Sequence, residues 1–188
     1  MKLATLFSAL TLLTLNAFAT EPAKRDFATD FYALKLKDID GKSVNMAQYK
    51  GKVLMIVNTA SQCGYTPQLK NLTELQTKLG PQGFQVLAFP SDDFHQDKGT
   101  NDEVKKFASD NYKINFPLFD KNSVAGEKKQ ELFKILVGQR SDMLNEVQWN
   151  FEKFVVNKKG LVVDRFRSTT KPDDPKVVEL LKSLLTEK

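Results

Sequence analysis

Apolar positions along the chain fall into blocks whose period changes from one block to the next. Val53-Leu54-Met55-Ile56-Val57 is continuously apolar and rich in β-branched side chains, the mark of a strand covered on both faces in a parallel or mixed sheet. Leu69, Leu72, Leu75 and Leu79 then repeat at three and four residues and define one face of a helix. Thr66 stands as its N-cap candidate, Pro67 at the first helical position and Gly80-Pro81 as its stop. Phe84 to Phe89 reads as the next buried strand, followed by a polar loop through Gly99 and a helix with Val104, Phe107 and Ala108 on one side. Glu127 to Val137 is a further amphipathic helix. Phe151 to Val156 and Leu161 to Phe166 flank Asn157-Lys158-Lys159-Gly160 as a hairpin, and Pro175 to Leu185 closes the chain as a helix. Upstream, alternation from Phe31 turns at Asp38-Ile39-Asp40-Gly41, which predicts an N-terminal β-hairpin. Strands alternating with helices, then a hairpin and a last helix, predict one α/β domain with a mixed central sheet flanked by helices.

The start of the chain follows a different rule. Met1-Lys2, an apolar run from Leu3 to Leu15 and Ala17-Phe18-Ala19 read as a cleaved secretory signal peptide over residues 1–19, leaving residues 20–188 as the mature domain. The apolar run falls short of the roughly 20 residues a bilayer span needs, and no cysteine follows it to carry a lipid. The expectation is an exported protein without membrane insertion after cleavage, placed in the periplasm, with secretion as the alternative. Cleavage removes Lys2 and takes the formal net charge from +5 to +4. Those charges are interspersed and form no basic stripe with aromatics, which argues against a nucleic-acid partner. With 41% hydrophobic residues, nine Gly and seven Pro, the chain has enough apolar surface for a sizeable core, and low-complexity and collagen-like classes are excluded. One Cys and one His exclude an internal disulfide and a Cys/His metal cage, so no metal is expected.

The lone cysteine carries the candidate chemistry. Cys63 lies in Asn58-Thr59-Ala60-Ser61-Gln62-Cys63-Gly64-Tyr65-Thr66-Pro67, just past a buried strand and just before a helix, where open α/β sheets place their active sites. Backbone N–H groups and the positive end of a helix dipole favour thiolate over thiol there, and the thiolate is the nucleophile. Gly64 beside it removes side-chain bulk and leaves room for a small substrate, with Gln62 on the other side. The competing reading is a small buried hydrophobe, a common role for a free cysteine.

Three segments of this chain resemble the glutathione peroxidase family, of the thioredoxin-like fold. Asn58 to Gln68 is similar to the family's peroxidatic loop in its cysteine-containing form, Phe89-Pro90 with the loop to Gly99 is similar to its second segment, and Trp149-Asn150-Phe151-Glu152-Lys153-Phe154 to its Trp-Asn-Phe-x-Lys-Phe motif. The resemblance runs from about Asp26 to the C-terminus. It implies that Cys63 is the peroxidatic cysteine and that Trp149 and Asn150 support it. Their donor groups suit a thiolate and an alkoxide or hydroxide leaving group. The implied function is thiol-dependent reduction of hydrogen peroxide or organic hydroperoxides through a sulfenic acid. The alternative is a non-catalytic binding or redox-sensing module on the same fold.

Two departures from the family pattern stand out. Where the family has Phe-Pro-Cys-Asn-Gln-Phe, this chain has Phe89-Pro90-Ser91-Asp92-Asp93-Phe94. Asp93 therefore stands at the fourth catalytic position, and an ionised carboxylate near a thiolate opposes it; Gln62 and Gln96 are the replacements at hand, and His95 reads as a surface loop residue. Ala108 stands where many members carry a resolving cysteine. A one-cysteine enzyme of this kind has no bound cofactor and is recycled by an external thiol, either glutathione or a thioredoxin-like protein. The short segment between Val124 and Trp149 lacks the insertion of tetrameric members, which implies a monomer. Lys153 is read as one half of a structural salt bridge.

Overall fold

The computed structural model describes residues 26–139 and 145–187; residues 1–19, expected from the sequence to be a signal peptide, lie outside them. The elements in chain order are helix α1 (Phe27–Ala33), strands β1 (Lys35–Lys37), β2 (Ser43–Asn45) and β3 (Val53–Thr59), helix α2 (Gln68–Leu79), strand β4 (Phe84–Pro90), helices α3 (Asn101–Tyr112) and α4 (Glu131–Gln139), strands β5 (Lys153–Val156) and β6 (Val162–Phe166), and helix α5 (Pro175–Thr186).

The main sheet runs β4-β3-β5-β6. β3 pairs in parallel with β4 and antiparallel with β5, and β5 pairs antiparallel with β6, so the sheet is mixed. All seven residues of β3 are buried, as its unbroken apolar run requires, and they alternate between two cores. Val53, Met55 and Val57 face the cluster built with α2, α3 and α5, whereas Leu54 and Ile56 face the one built with α1 and α4. The four leucines of α2 are buried as one stripe. Gly83, at φ 98°, turns the chain from the end of that helix into β4, a conformation glycine adopts without penalty. Thr100 and Glu103 form a reciprocal capping box that starts α3.

The structure corrects three boundaries. The N-terminal hairpin exists as β1 and β2 in antiparallel register, closed by Asp38 Oδ1 accepting from the Asp40 and Lys42 amides, but Phe31 to Ala33 belong to α1. Asp26 caps that helix through the Thr29 amide and hydroxyl, and Phe31 and Tyr32 bury against α4. Helix α4 begins at Glu131, four residues later than the apolar period suggests. The segment before it turns at Gly126 (φ 70°) and is closed by the Gln130 amide donating to Ser123 O at 2.9 Å. Phe151 and Glu152 precede β5 as a turn rather than extending it, because Phe151 takes a left-handed φ of 62°.

Candidate active site

Three loops converge at the ends where the parallel strands β3 and β4 finish: residues 60–67 after β3, residues 91–100 after β4, and residues 145–152 leading into β5. This edge is where α/β sheets gather function.

The first loop carries Cys63, 6% exposed. Its turn is built by side-chain bonds. Thr66 Oγ1 accepts from the Cys63 amide at 3.1 Å and donates to Ala60 O at 2.8 Å. Thr66 therefore caps the cysteine turn and not α2, which starts at Gln68 with Pro67 in the cap position and no side-chain cap bond. This corrects the N-cap assignment, and the consequence falls on Cys63. The Tyr65 amide donates to Cys63 Sγ at 3.4 Å, aiming a backbone donor at the atom that carries the charge in a thiolate. A Cβ added at Gly64 meets nothing within 4 Å. The space outside Gly64, the residue after the cysteine, is thus open, and packing within the fold does not itself demand a glycine there. Gln62 is exposed, and its amide donates to Gln96 O at 2.9 Å. An open groove of about 450 Å³ beside it is lined by Ser61, Gln62, Lys98, Glu103 and Phe107.

The second loop is clamped at both ends by residues 120–125. Asp93 Oδ2 accepts from the Val124 amide at 2.6 Å and the Ala125 amide at 2.8 Å, and Ser123 Oγ donates to both carboxylate oxygens. This corrects the placement of Asp93 as a catalytic side chain: its carboxylate is spent on backbone amides of another loop. It anchors the loop to residues 123–125. Lys121 Nζ holds the carbonyls of Asp97, at 3.0 Å, and Gly99. Asp97 is fully buried, accepts from Ser61 Oγ at 2.6 Å and leaves Oδ2 without a partner; burial holds its carboxyl above the usual aspartate range. Between the two clamps the loop tip projects Phe94, His95 and Gln96. His95 is exposed with φ 58°, in line with a surface loop residue.

The third loop hangs on Asn58, the last-but-one residue of β3. Asn58 Nδ2 donates to Trp149 O at 3.0 Å, its Oδ1 accepts from the Glu152 amide at 3.0 Å, and its carbonyl accepts from the Phe151 amide at 2.7 Å. A fully buried asparagine thus holds the strained turn at Phe151 in place. Trp149 is 41% exposed and its ring lies 5.3 Å from that of Phe94, so it is no core tryptophan. Asn150 is fully buried and donates through Nδ2 to Gln96 Oε1 at 2.9 Å. The structure therefore brings the Cys63, Gln96 and Trp149-Asn150 loops together by direct bonds.

Among the described residues Lys153 forms no salt bridge, contrary to the expectation from the sequence. Its buried Nζ donates to Gln68 Oε1 at 2.8 Å and Thr170 O at 2.6 Å, tying β5 to the first residue of α2, and burial pulls its ammonium down to about 7. The ion pair of this motif belongs to Glu152, which binds Arg165 at 2.5 Å with both side chains 1% exposed. The sequence pattern marks none of Asn58, Asp97 and Gln68 for the site, and it marks Thr66 only as a helix cap. The one available signal was Asn58, a polar residue ending a buried apolar run.

Ala108 is buried in α3 and borders a small cavity with Ser61 and Asp97. Among the described residues no group of three or more His, Cys, Asp or Glu side chains is placed to hold a metal ion.

Comparison with known proteins accords with this geometry. The chain is 41% identical over 162 residues to the glutathione peroxidase-like peroxiredoxin HYR1 of Saccharomyces cerevisiae, an alignment covering 85% of this chain and 98% of that one. It is 41% identical to the hydroperoxy fatty acid reductase gpx1 of Synechocystis sp., over 76% of this chain and 89% of the relative. The crystal structure of Trgpx in apo form superposes with a TM-score of 0.67 at 32% identity, covering 84% of this chain and 96% of that one. A thioredoxin-family thiol:disulfide interchange protein from Chlorobium tepidum shares the fold at 17% identity, with a TM-score of 0.62 over 81% of this chain and 92% of that one. The sequence model described as glutathione peroxidase matches residues 31–137, and the chain belongs to the glutathione peroxidase family, on a thioredoxin-like fold.

Proposed function

We propose that the protein is a one-cysteine, thiol-dependent peroxidase that reduces hydrogen peroxide or organic hydroperoxides at Cys63. The observation that carries this reading is the Cys63 turn, which places a backbone N–H on Sγ at the edge of the sheet where three loops meet, with open space at the neighbouring Gly64. The thiolate attacks the terminal peroxide oxygen and becomes a sulfenic acid. Cys63 is the sole cysteine of the chain, so a first external thiol condenses with the sulfenic acid, releasing water and leaving a mixed disulfide. A second thiol then attacks the outer sulfur and frees the Cys63 thiolate.

Trp149 and Asn150 support the site, Gln62 borders the approach to it, and Asp93 positions the loop opposite. The reductant is glutathione or a thioredoxin-like protein, and no bound cofactor takes part. The sequence of residues 1–19 supports export to the periplasm, and the short segment before Trp149 supports a monomer.

Peroxide-dependent thiol consumption by the wild type and by Cys63→Ser tests the reading. Turnover in the wild type and none in the variant is expected; turnover that survives Cys63→Ser overturns it. Running the assay with glutathione and with a thioredoxin separates the two reductants. Wild-type protein whose Cys63 oxidises no faster than a free thiol would favour the binding or sensing module instead.

A further inference from the structure

Gln96 and Asn150 together leave one hydrogen-bond acceptor and one donor group unused at the edge of the Cys63 loop. Asn150 is fully buried; its Nδ2 is committed to Gln96 Oε1, and its Oδ1 has no partner. An unpaired buried amide oxygen is costly, and one that persists where the Cys63, Gln96 and Trp149-Asn150 loops are joined marks a place where a ligand brings the missing hydrogen. Gln96 has the opposite vacancy. Its Oε1 is taken by Asn150 and its Nε2, with two N–H groups, donates to no described residue. Gln96 is also fixed in place. Its carbonyl holds the amide of Gln62, the residue before Cys63, and its loop is clamped through Asp93 on one side and through Lys121 at Asp97 and Gly99 on the other.

A hydroperoxide has the complementary pattern: a terminal O–H that donates and, one bond away, an oxygen that accepts. We propose that Asn150 Oδ1 and Gln96 Nε2 bind the –O–O–H group, Oδ1 accepting the terminal hydrogen and Nε2 donating to the oxygen that leaves. Gln96 is then a catalytic residue that takes the place Asp93 leaves vacant. The inference rests on Cys63 being the peroxidatic thiolate. In the reaction, sulfur forms its bond to the terminal oxygen and the O–O bond breaks. Its electron pair departs on the second oxygen, as alkoxide from an organic hydroperoxide or hydroxide from hydrogen peroxide, and water supplies the proton that neutralises it. The terminal hydrogen stays on oxygen as Cys63–S–O–H, so sulfur loses two electrons and the peroxide gains two. The Gln96 N–H acts where charge develops, which is where a fixed donor accelerates a reaction.

The test compares two reactions of the same sulfur in wild type, Gln96→Met and Gln96→Glu. One is single-turnover oxidation of Cys63 by hydrogen peroxide; the other is its alkylation by iodoacetamide, which has no O–O bond. The ratio of the two rates cancels changes in the amount of thiolate. Gln96→Met removes the whole amide at similar volume, whereas Gln96→Glu keeps an oxygen opposite Asn150 Nδ2 and removes the N–H groups, adding a charge whose effect on the amount of thiolate the ratio cancels. The ratio is expected to fall about a hundredfold in both variants, the scale of losing one fixed donor to a developing charge. An unchanged ratio, including the case in which both rates fall together, overturns the proposal by reducing Gln96 to a support of the cysteine loop. A fall in Gln96→Met alone also overturns it, by assigning the effect to the tether. Wild-type oxidation at a free-thiol rate would instead remove the reading of Cys63 itself.

Discussion

Asn58 Nδ2 holds the carbonyl of Trp149 at 3.0 Å across 91 residues of sequence. Asn58 sits in the last turnless stretch of β3, so its position is set by a strand buried on both faces, and it passes that rigidity to the tryptophan loop. Asn58→Ala strips both side-chain bonds and leaves the Glu152 amide and the Trp149 carbonyl without these partners, at about 1–3 kcal/mol for each such group that stays buried. Urea denaturation should show a loss of at least about 2 kcal/mol on that scale, and oxidation of Cys63 should slow with it. An unchanged midpoint would mean that the loop holds itself.

Asp93 occupies the position of the family's glutamine, yet its carboxylate is bound to the Val124 and Ala125 amides. Restoring the family residue should therefore not improve the enzyme. Asp93→Gln is expected to lower the melting temperature, because an amide oxygen replaces a charge-assisted acceptor for two backbone donors, and to give no gain in the peroxide rate. A faster Cys63 in Asp93→Gln would show that position 93 faces the sulfur.

Lys153 makes stability depend on pH with a definite sign. Its ammonium is pulled from the ordinary 10.5 to about 7 by burial, so between those values the unfolded chain binds the proton that the folded chain has released. Unfolding free energy therefore rises with pH across that window. Urea midpoints of the wild type should increase relative to Lys153→Met from pH 7 to pH 9.5. Parallel midpoints for the two proteins would contradict the buried, weakly basic amine.

The Arg165–Glu152 pair lies beneath the Trp149 turn, with Glu152 Oε1 also accepting from the Gln148 amide at 2.9 Å. Arg165→Met leaves the buried carboxylate with the Gln148 amide and the half-exposed guanidinium of Arg167, 3.2 Å away, both on Oε1, and strips Oε2 of its Arg165 bonds. Breaking a buried pair in this way costs about 3–5 kcal/mol, readable as a lower urea midpoint; a variant as stable as the wild type would show that Arg167 suffices.

The elements readable from the sequence are those that obey a local period. β3 and β4 are unbroken apolar runs, α2 is a leucine stripe, and the β5–β6 hairpin is bracketed by Asn157 and Gly160; each imposes its pattern whatever packs on it. Helix α1 was hidden because its seven residues are too few to display a period before the hairpin begins. Cys63, Trp149 and Asn150 were legible as motif residues. The sequence did not reveal how they are joined, because Asp93 meets Ser123 at a separation of 30 residues, Asn150 meets Gln96 at 54 and Lys153 meets Gln68 at 85. No periodicity records such bonds. Thr66 shows the same limit at short range: a threonine before a proline fits a helix cap, and only the fold reveals that its hydroxyl serves the cysteine turn.

The central claim is that Cys63 is a peroxidatic thiolate. Its most direct test is the rate at which Cys63, in protein beginning at Thr20, is oxidised by stoichiometric hydrogen peroxide, read by intact mass with a thiol-reactive trap and a sulfenic-acid probe. The account predicts oxidation far faster than that of a free thiol, ending in a single sulfenic adduct. Oxidation at the free-thiol rate, or a Cys63 that remains untouched, would contradict it.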